Sequence, residues 1–316
     1  MSKRSSRSPE NHKPKKVSLS RNTTLYLLVS IFLLVYLIAK LGFDISNSLF
    51  AKHTDRLNFV IYGQTPTFYS LGINEAGNYA IPFYPDLKTQ IPGGYNYYRI
   101  GALGKIVQLD KNPDLFKKTF SSITSTFVDY YFYEPGEEVY YGGKGEEETV
   151  SKPQWQQIMN MKSNASFWDR LYFLSIINRF QSNSVYDINY LPYERLKEDT
   201  IFKNDNFLDK YIGSFYQKTY RKENLNVQLL YSNKDRYNTA ELISNMLNGN
   251  GIVVGDISYI DQENKTCIVK ENVTKQFSKT STSIATFFNC ELQKGETDVY
   301  DILVVLGDLQ ETWEVE

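Results

Sequence analysis

The chain has 316 residues, 41% of them apolar and 22% charged, with a formal net charge of −1. That is enough apolar material for one or two packed domains and excludes both a disulfide-knit miniprotein and a wholly disordered chain. The near-zero charge hides a split: residues 1–22 carry seven Lys or Arg against Glu10 alone, leaving about −7 for the rest. A body of that sign lacks the basic face that nucleic acid requires, so no nucleic-acid partner is expected. The two histidines, His12 and His53, both fall outside foldable segments. That excludes a Ser-His-Asp triad, a Cys-His dyad and a His-ligated zinc site, each of which needs an imidazole inside a pocket.

After the basic tail (1–22), Thr23 to Ala39 is free of charge, and Leu41 to Phe43 extends the run past Lys40, which can snorkel. Some twenty-one helical residues cover roughly 30 Å, the thickness of a bilayer's hydrocarbon core. The spacing predicts a transmembrane helix over 23–43. Lys3, Arg4, Arg7, Lys13, Lys15, Lys16 and Arg21 precede it, which places the N-terminus in the cytoplasm and residues 44–316 outside, on a single-pass anchor. A cleaved signal peptide fits less well, since the run is long and no small-x-small site follows Ala39.

Leu57 to Gly63, Thr67 to Asn74 and Gly77 to Tyr84 read as strands separated by Gly and Asn turns. Leu109 to Ser125 reads as a helix opening near Asn112-Pro113, and Phe127 to Glu134 as a further strand. Glu137 to Glu148 is acidic and glycine-rich without calcium-loop spacing, so it is expected to be a solvated hairpin tip and no metal site is assigned. Phe167 to Phe180 is predicted to be a helix burying Phe167, Leu171, Leu174 and Ile177, and Lys203 to Glu223 a connecting helix. Alternating strands and helices predict an α/β or α+β fold.

The last ninety or so residues read as βαββαβ: strand Leu225 to Tyr231, helix Asn238 to Leu247, strand Gly251 to Ile260, strand Lys265 to Lys270, helix Val273 to Asn289, strand Val299 to Leu306. That order folds as a small sheet with two helices on one face. Gly249, Gly251 and Gly255 follow a helix and lead into a strand, the reverse of a dinucleotide loop, and are expected to end the helix and turn the chain. Cys267 and Cys290 lie twenty-three positions apart. Outside the cytoplasm a disulfide is expected if their backbones meet. The alternative is two buried thiols, and geometry decides between them.

The strand, helix, GNGIVVGD and terminal DILVVLG of residues 225–316 resemble the C-terminal domain of LytR-CpsA-Psr envelope proteins. The order of cytoplasmic tail, membrane helix, exported domain and C-terminal domain is also similar. Within residues 56–215, Leu57 to Gly63 resembles the family's opening strand. Pro85, Ile91-Pro92-Gly93 and Arg99-Ile100-Gly101-Ala102 resemble its Pro-Arg-Asp, Ile-Pro-Gly and Arg-Ile-Asn-Ala segments, and Phe120 to Tyr133 its next helix and strand.

The resemblance implies transfer of a glycopolymer from a polyprenyl pyrophosphate, with arginines holding the phosphates and aspartates holding Mg²⁺. Here Pro85 is followed by Asp86 and Leu87 in place of Arg and Asp, and Gly63 by Gln64-Thr65-Pro66 where an aspartate is implied. Among the arginines implied, Arg99 remains. An acid in place of a phosphate-holding arginine reverses the local field. The expectation is therefore a catalytically silent relative, without cofactor, that binds a cell-wall glycan, a lipid-linked intermediate or an envelope partner. Its candidate surface is the Gly93 to Arg99 loop with Tyr95, Tyr97 and Tyr98. The alternative is an active Mg²⁺-dependent phosphotransferase drawing on Arg99, Lys88 and Lys105 around Asp86.

Overall fold

The structure, a computed structural model, describes residues 21–46, 48–52, 54–73, 77–136, 152–178, 185–187, 191–196, 199–262 and 264–315. Most of the basic tail and the acidic run Glu137 to Glu148 lie outside the described residues. The chain opens with helix α1 (Arg21–Ser46), of which Leu25–Ser46 is long and apolar enough to cross a membrane and is not buried against the rest of the protein.

Strands β1 (Arg56–Tyr62), β2 (Thr67–Gly72) and β3 (Asn78–Pro82) form an antiparallel meander. A hairpin of β4 (Lys88–Gln90) and β5 (Tyr97–Arg99) follows, then helices α2 (Leu103–Asp110) and α3 (Asp114–Thr124), strand β6 (Tyr130–Tyr133), helix α4 (Trp155–Asn160), strand β7 (Lys162–Ser163) and helix α5 (Phe167–Ile177). Strands β8 (Val185–Asp187), β9 (Tyr193–Leu196) and β10 (Asp199–Phe202) and helices α6 (Asn204–Tyr211) and α7 (Lys218–Glu223) complete this part. Six strands assemble in the order β7-β6-β1-β2-β3-β8, and four in the order β5-β4-β10-β9.

All seven residues of β1 are buried, because it runs through the middle of the larger sheet with apolar layers on both faces. Leu57, Phe59 and Ile61 point to the side covered by Phe173, Ile176 and Ile177 of α5. Val60 and Tyr62 point to the opposite side, under Phe116, Phe120 and Ile123 of α3. Each fully buried aromatic or aliphatic side chain there stabilises the fold by about 1.5–3 kcal/mol.

The C-terminal part contains β11 (Asn226–Tyr231), α8 (Tyr237–Gly249), β12 (Val253–Tyr259), β13 (Ile268–Glu271), α9 (Lys279–Phe288), β14 (Glu291–Lys294), β15 (Ile302–Val305) and α10 (Leu309–Thr312). Its five strands run β12-β11-β15-β13-β14, and α8 and α9 share one apolar cluster with Val227, Leu229, Val269, Ile302 and Val304. Cys267 and Cys290 are joined as a disulfide, with Cα atoms 4.7 Å apart. Closing a loop of that length contributes about 3 kcal/mol in the chain-entropy account.

The two parts interlock. Phe127 stacks on Phe287 with ring centroids 4.1 Å apart, and Thr126 Oγ1 donates to Asn250 Oδ1 at 3.0 Å. A Cβ on Gly249 would lie 1.7 Å from the Ser125 carbonyl oxygen, so this helix end must be glycine for α8 to close on α3.

Several expectations are corrected. The helix read over 109–125 is two helices: Lys111 adopts a left-handed conformation and ends α2, and α3 starts at Asp114 behind Pro113. Lys203 to Glu223 also splits in two, and the second C-terminal helix begins at Lys279, where Ser278 caps it, rather than at Val273. Strand β14 is additional to the βαββαβ reading. Helix α5 buries Asp169, Phe173, Ile176 and Ile177, whereas Phe167 is 59% exposed. Its sequence is apolar on nearly every side, so periodicity alone did not select the inward face.

Candidate functional site

The segments carrying Asp86 and Arg99 meet through their backbones. Ile100 N–H donates to Leu87 O and Gly101 N–H to Pro85 O, both at 2.9 Å. Residues 97–99 are a strand rather than loop, and in the hairpin register Lys88 faces Arg99, Thr89 faces Tyr98 and Gln90 faces Tyr97. Directly opposed residues share a face, so Lys88, Gln90, Tyr97 and Arg99 lie together. Ile201 and Glu194 continue that face through the register of β10 and β9.

The opposite face carries Thr89 and Phe202, 1% and 4% exposed, into the core. The Lys88–Arg99 face is therefore the outward one. Lys203 joins it through an ion pair with Glu194 at 2.7 Å. The hydrogen bond to Glu194 and that carboxylate's charge raise the Lys203 pKa.

The other candidates are placed differently. Tyr95 packs partly against the core, and its hydroxyl donates to the Asp110 carboxylate, which pushes its pKa up to about 12. Tyr98 is exposed on the face opposite Arg99. Lys105 is exposed on α2, and Asp86 is exposed in the turn before β4. The backbone thus brings together Asp86, Lys88, Tyr97 and Arg99, and the glycine stretch ahead of them is held from elsewhere. Gly93 and Gly94 N–H both donate to the Glu314 carbonyl, at 2.9 and 3.3 Å.

Tyr62 is the residue that sequence reasoning passed over. It is 2% exposed, at the end of β1, with its ring 4.6 Å from Phe116. Its hydroxyl donates toward Gly101 O at 2.8 Å, lies 3.2 Å from Ile100 O, and accepts Gly104 N–H at 2.8 Å. The phenol therefore occupies the N-terminal end of α2, where free N–H groups and the helix dipole would otherwise favour an anion. A Cβ on Gly104 would lie 2.8 Å from the Tyr62 ring, so glycine at 104 makes room for it. Nothing in a strand pattern distinguishes this tyrosine from a core aromatic; only the Ile100 and Gly101 carbonyls and the Gly104 amide around its hydroxyl do.

Donors for a divalent cation are sparse here. Gln64 and Thr65 carry no carboxylate, Thr67 Oγ1 is turned to Thr65 O at 2.9 Å, Asp86 is an exposed acid in a turn, and Glu194 on the same face is paired with Lys203. Among the described residues no group of three or more His, Cys, Asp or Glu side chains converges. This donor set does not fit an enclosed Mg²⁺ centre.

Two further charged groups are accounted for by structure. Lys117 Nζ donates to Phe287 O at 2.8 Å and lies 4.0 Å from that ring's centroid, beside Asp129, whose pKa burial pushes up to about 6. An open cleft of about 350 Å³ is lined by Tyr131, Tyr133, Met161, Lys162 and Arg170, among others. The Arg170 guanidinium is committed to the carbonyls of Ile158, Met159, Met161 and Ala165.

No family model matches the sequence, and no curated protein matches it significantly. Solved structures similar to this chain include Bacillus subtilis TagT, at 13% identity and TM-score 0.35 over 49% of this chain and 88% of that one. The LytR-CPS2A-psr family protein YwtF (TagT) with bound octaprenyl pyrophosphate lipid matches at 14% identity and TM-score 0.34, over 49% and 87%. The transcriptional regulator yvhJ from Bacillus subtilis matches at 10% identity and TM-score 0.36, over 50% and 94%. Superpositions this loose carry no argument for a shared activity.

Proposed function

We propose that this chain is a membrane-anchored extracytoplasmic envelope protein of LytR-CpsA-Psr type that binds a cell-wall glycan, a lipid-linked intermediate or an envelope partner without turning it over. Helix α1 anchors it, the basic tail lies on the cytoplasmic side, and the body lies outside, a reading supported by the Cys267–Cys290 bridge. Residues 56–215 form the degenerate catalytic-type domain and 225–316 the accessory one.

The observation that carries the non-catalytic reading is Tyr62. Its hydroxyl accepts the Gly104 amide of α2 and donates toward the Gly101 carbonyl, and its ring lies against Phe116 and the space that a side chain at Gly104 would take. A diphosphate there would have to displace a buried aromatic side chain. The cations nearby stand instead on an open sheet face, where a polymer can lie across Lys88, Tyr97 and Arg99 and remain solvated. Such contacts recognise, but they do not enclose and neutralise a leaving group.

The second reading, a phosphotransferase using Arg99, Lys88 and Lys105 around Asp86, is favoured by one observation, the cross-strand pairing of Lys88 with Arg99. The two separate in one experiment. Full-length protein in detergent, given Mg²⁺ and a polyprenyl pyrophosphate, is expected to release no phosphate, while retaining wall fragments in a pull-down that weakens several-fold in Arg99→Ala. Turnover abolished by Arg99→Ala would overturn the binding reading.

A further inference from the structure

We propose that Phe50 and the first turn of α5, with Phe167 and Trp168, form an aromatic foot that rests on the outer leaflet of the bilayer crossed by α1; the inference rests on the membrane-anchored reading above. The apolar span ends at Ser46. Three residues later the chain is fixed to the body: Leu49 N–H donates to Asp169 Oδ1 at 2.8 Å, and the Leu49 side chain, 2% exposed, enters the same cluster as Phe173 and Ile176. Phe50 follows at once, its ring set edge-on to Tyr172 at 5.1 Å.

Asp169 cannot drift from this position, because it is also tied into the α5 cap. Its carboxylate accepts Ser166 N–H and Oγ–H at 3.1 and 2.7 Å, and Ser166 Oγ accepts the Asp169 amide. Three residues span at most about 10 Å, and each headgroup layer is roughly 5–8 Å deep. The Leu49–Asp169 contact at the amino end of α5 is therefore held within roughly 10 Å of the end of the span, at or just beyond the headgroup layer.

What this end presents includes two exposed aromatic rings beside the exposed Ser166 and Lys52. Phe167 is 59% exposed and Phe50 47%, and the Phe167 ring packs edge-on against Trp168 at 5.6 Å. Large aromatics left in water on a soluble body are costly, whereas at a bilayer interface the same rings find a suitable solvent and Trp is enriched. The proximity follows from the Leu49–Asp169 tether, so the occupant with first access to these rings is the lipid surface, not a diffusing protein.

The test uses the full chain in phosphatidylcholine–phosphatidylglycerol vesicles with a nitroxide placed singly at Phe167→Cys, at Val299→Cys, a remote site 88% exposed, and at Leu34→Cys inside α1. Collision with molecular oxygen, relative to a water-soluble nickel chelate, is the readout. Position 167 is expected to give a ratio several-fold above position 299, with position 34 higher still. If position 34 reports hydrocarbon while 167 matches 299, or is shielded from both quenchers as by a protein partner, the foot is refuted and the anchor stands. If position 34 reports water, the anchor reading fails and the foot with it.

Discussion

The Tyr62 hydroxyl accepts the Gly104 backbone N–H at 2.8 Å and so caps the helix that follows Arg99. The contact joins the end of the central strand to the segment the sequence marked as a phosphate holder. Replacing the hydroxyl by hydrogen in Tyr62→Phe leaves that amide and the Gly101 carbonyl without their partner, at a cost of about 1–3 kcal/mol. Gly104→Ala drives a methyl into the ring and is expected to cost a similar 1–3 kcal/mol. Urea melts of both variants measure this. If Gly104→Ala melts like the parent, Tyr62 does not fill this crevice.

A second relationship couples the chain's end to the hairpin loop. Trp313 is 3% exposed among Phe287 and Phe288, and the next residue's carbonyl holds Gly93 and Gly94. Ending the chain after Glu311 removes both and is expected to destabilise by about 3–5 kcal/mol, the usual cost of losing a buried large aromatic. Hydrogen exchange at Gly93 and Gly94 should speed up together. Glu314→Gln breaks the ion pair with Arg236 but keeps the carbonyl, so it should leave exchange at both glycines as it was; accelerated exchange there would mean the side chain, not the backbone, positions the loop.

The buried acid at the junction gives stability a pH dependence. Burial raises the Asp129 pKa from 3.8 to about 6, against the opposing charge of Lys117. A carboxyl whose folded value lies above its unfolded value binds its proton more tightly in the native state. Its contribution is therefore present below about pH 4 and is lost as pH rises through 6. Asp129→Asn, which stays neutral, is expected to exceed the parent's stability at pH 7.5 by up to about 3 kcal/mol, with the gap closing toward pH 4. Thermal unfolding at the two pH values checks this, and a gap of equal size at both would rule out titration of Asp129 as the cause.

Where the length and density of an apolar run set it apart, it was readable without a structure. The apolar run broken only by Lys40 reads as one long helix, and α1 forms without being buried against the rest of the protein; β1, with apolar residues on both faces around Arg56 and Asn58, reads as an interior strand and is one. The strands and helices of residues 225–305 carry periodicities that differ enough to be told apart, although the four-residue β14 and the true start of α9 at its Ser278 cap escaped. Helix α5 shows the limit: with apolar residues on every side, it left the buried face to the packing of Phe59 and Phe132, and Phe167 was turned outward.

At the candidate site the sequence supplied residue identities and the tertiary structure supplied distances. Asp86, Lys88 and Arg99 stood out as charges in a suggestive segment, but only the β4–β5 register puts Lys88 opposite Arg99 on an outward face. The role of Tyr62, the hold of Glu314 on Gly93 and the tether from Leu49 to Asp169 join residues 42, 221 and 120 positions apart. Local propensity and periodicity reach only a few residues along the chain. Contacts over such separations are fixed by which surfaces pack when the whole sheet closes, and no short stretch of sequence contains that information.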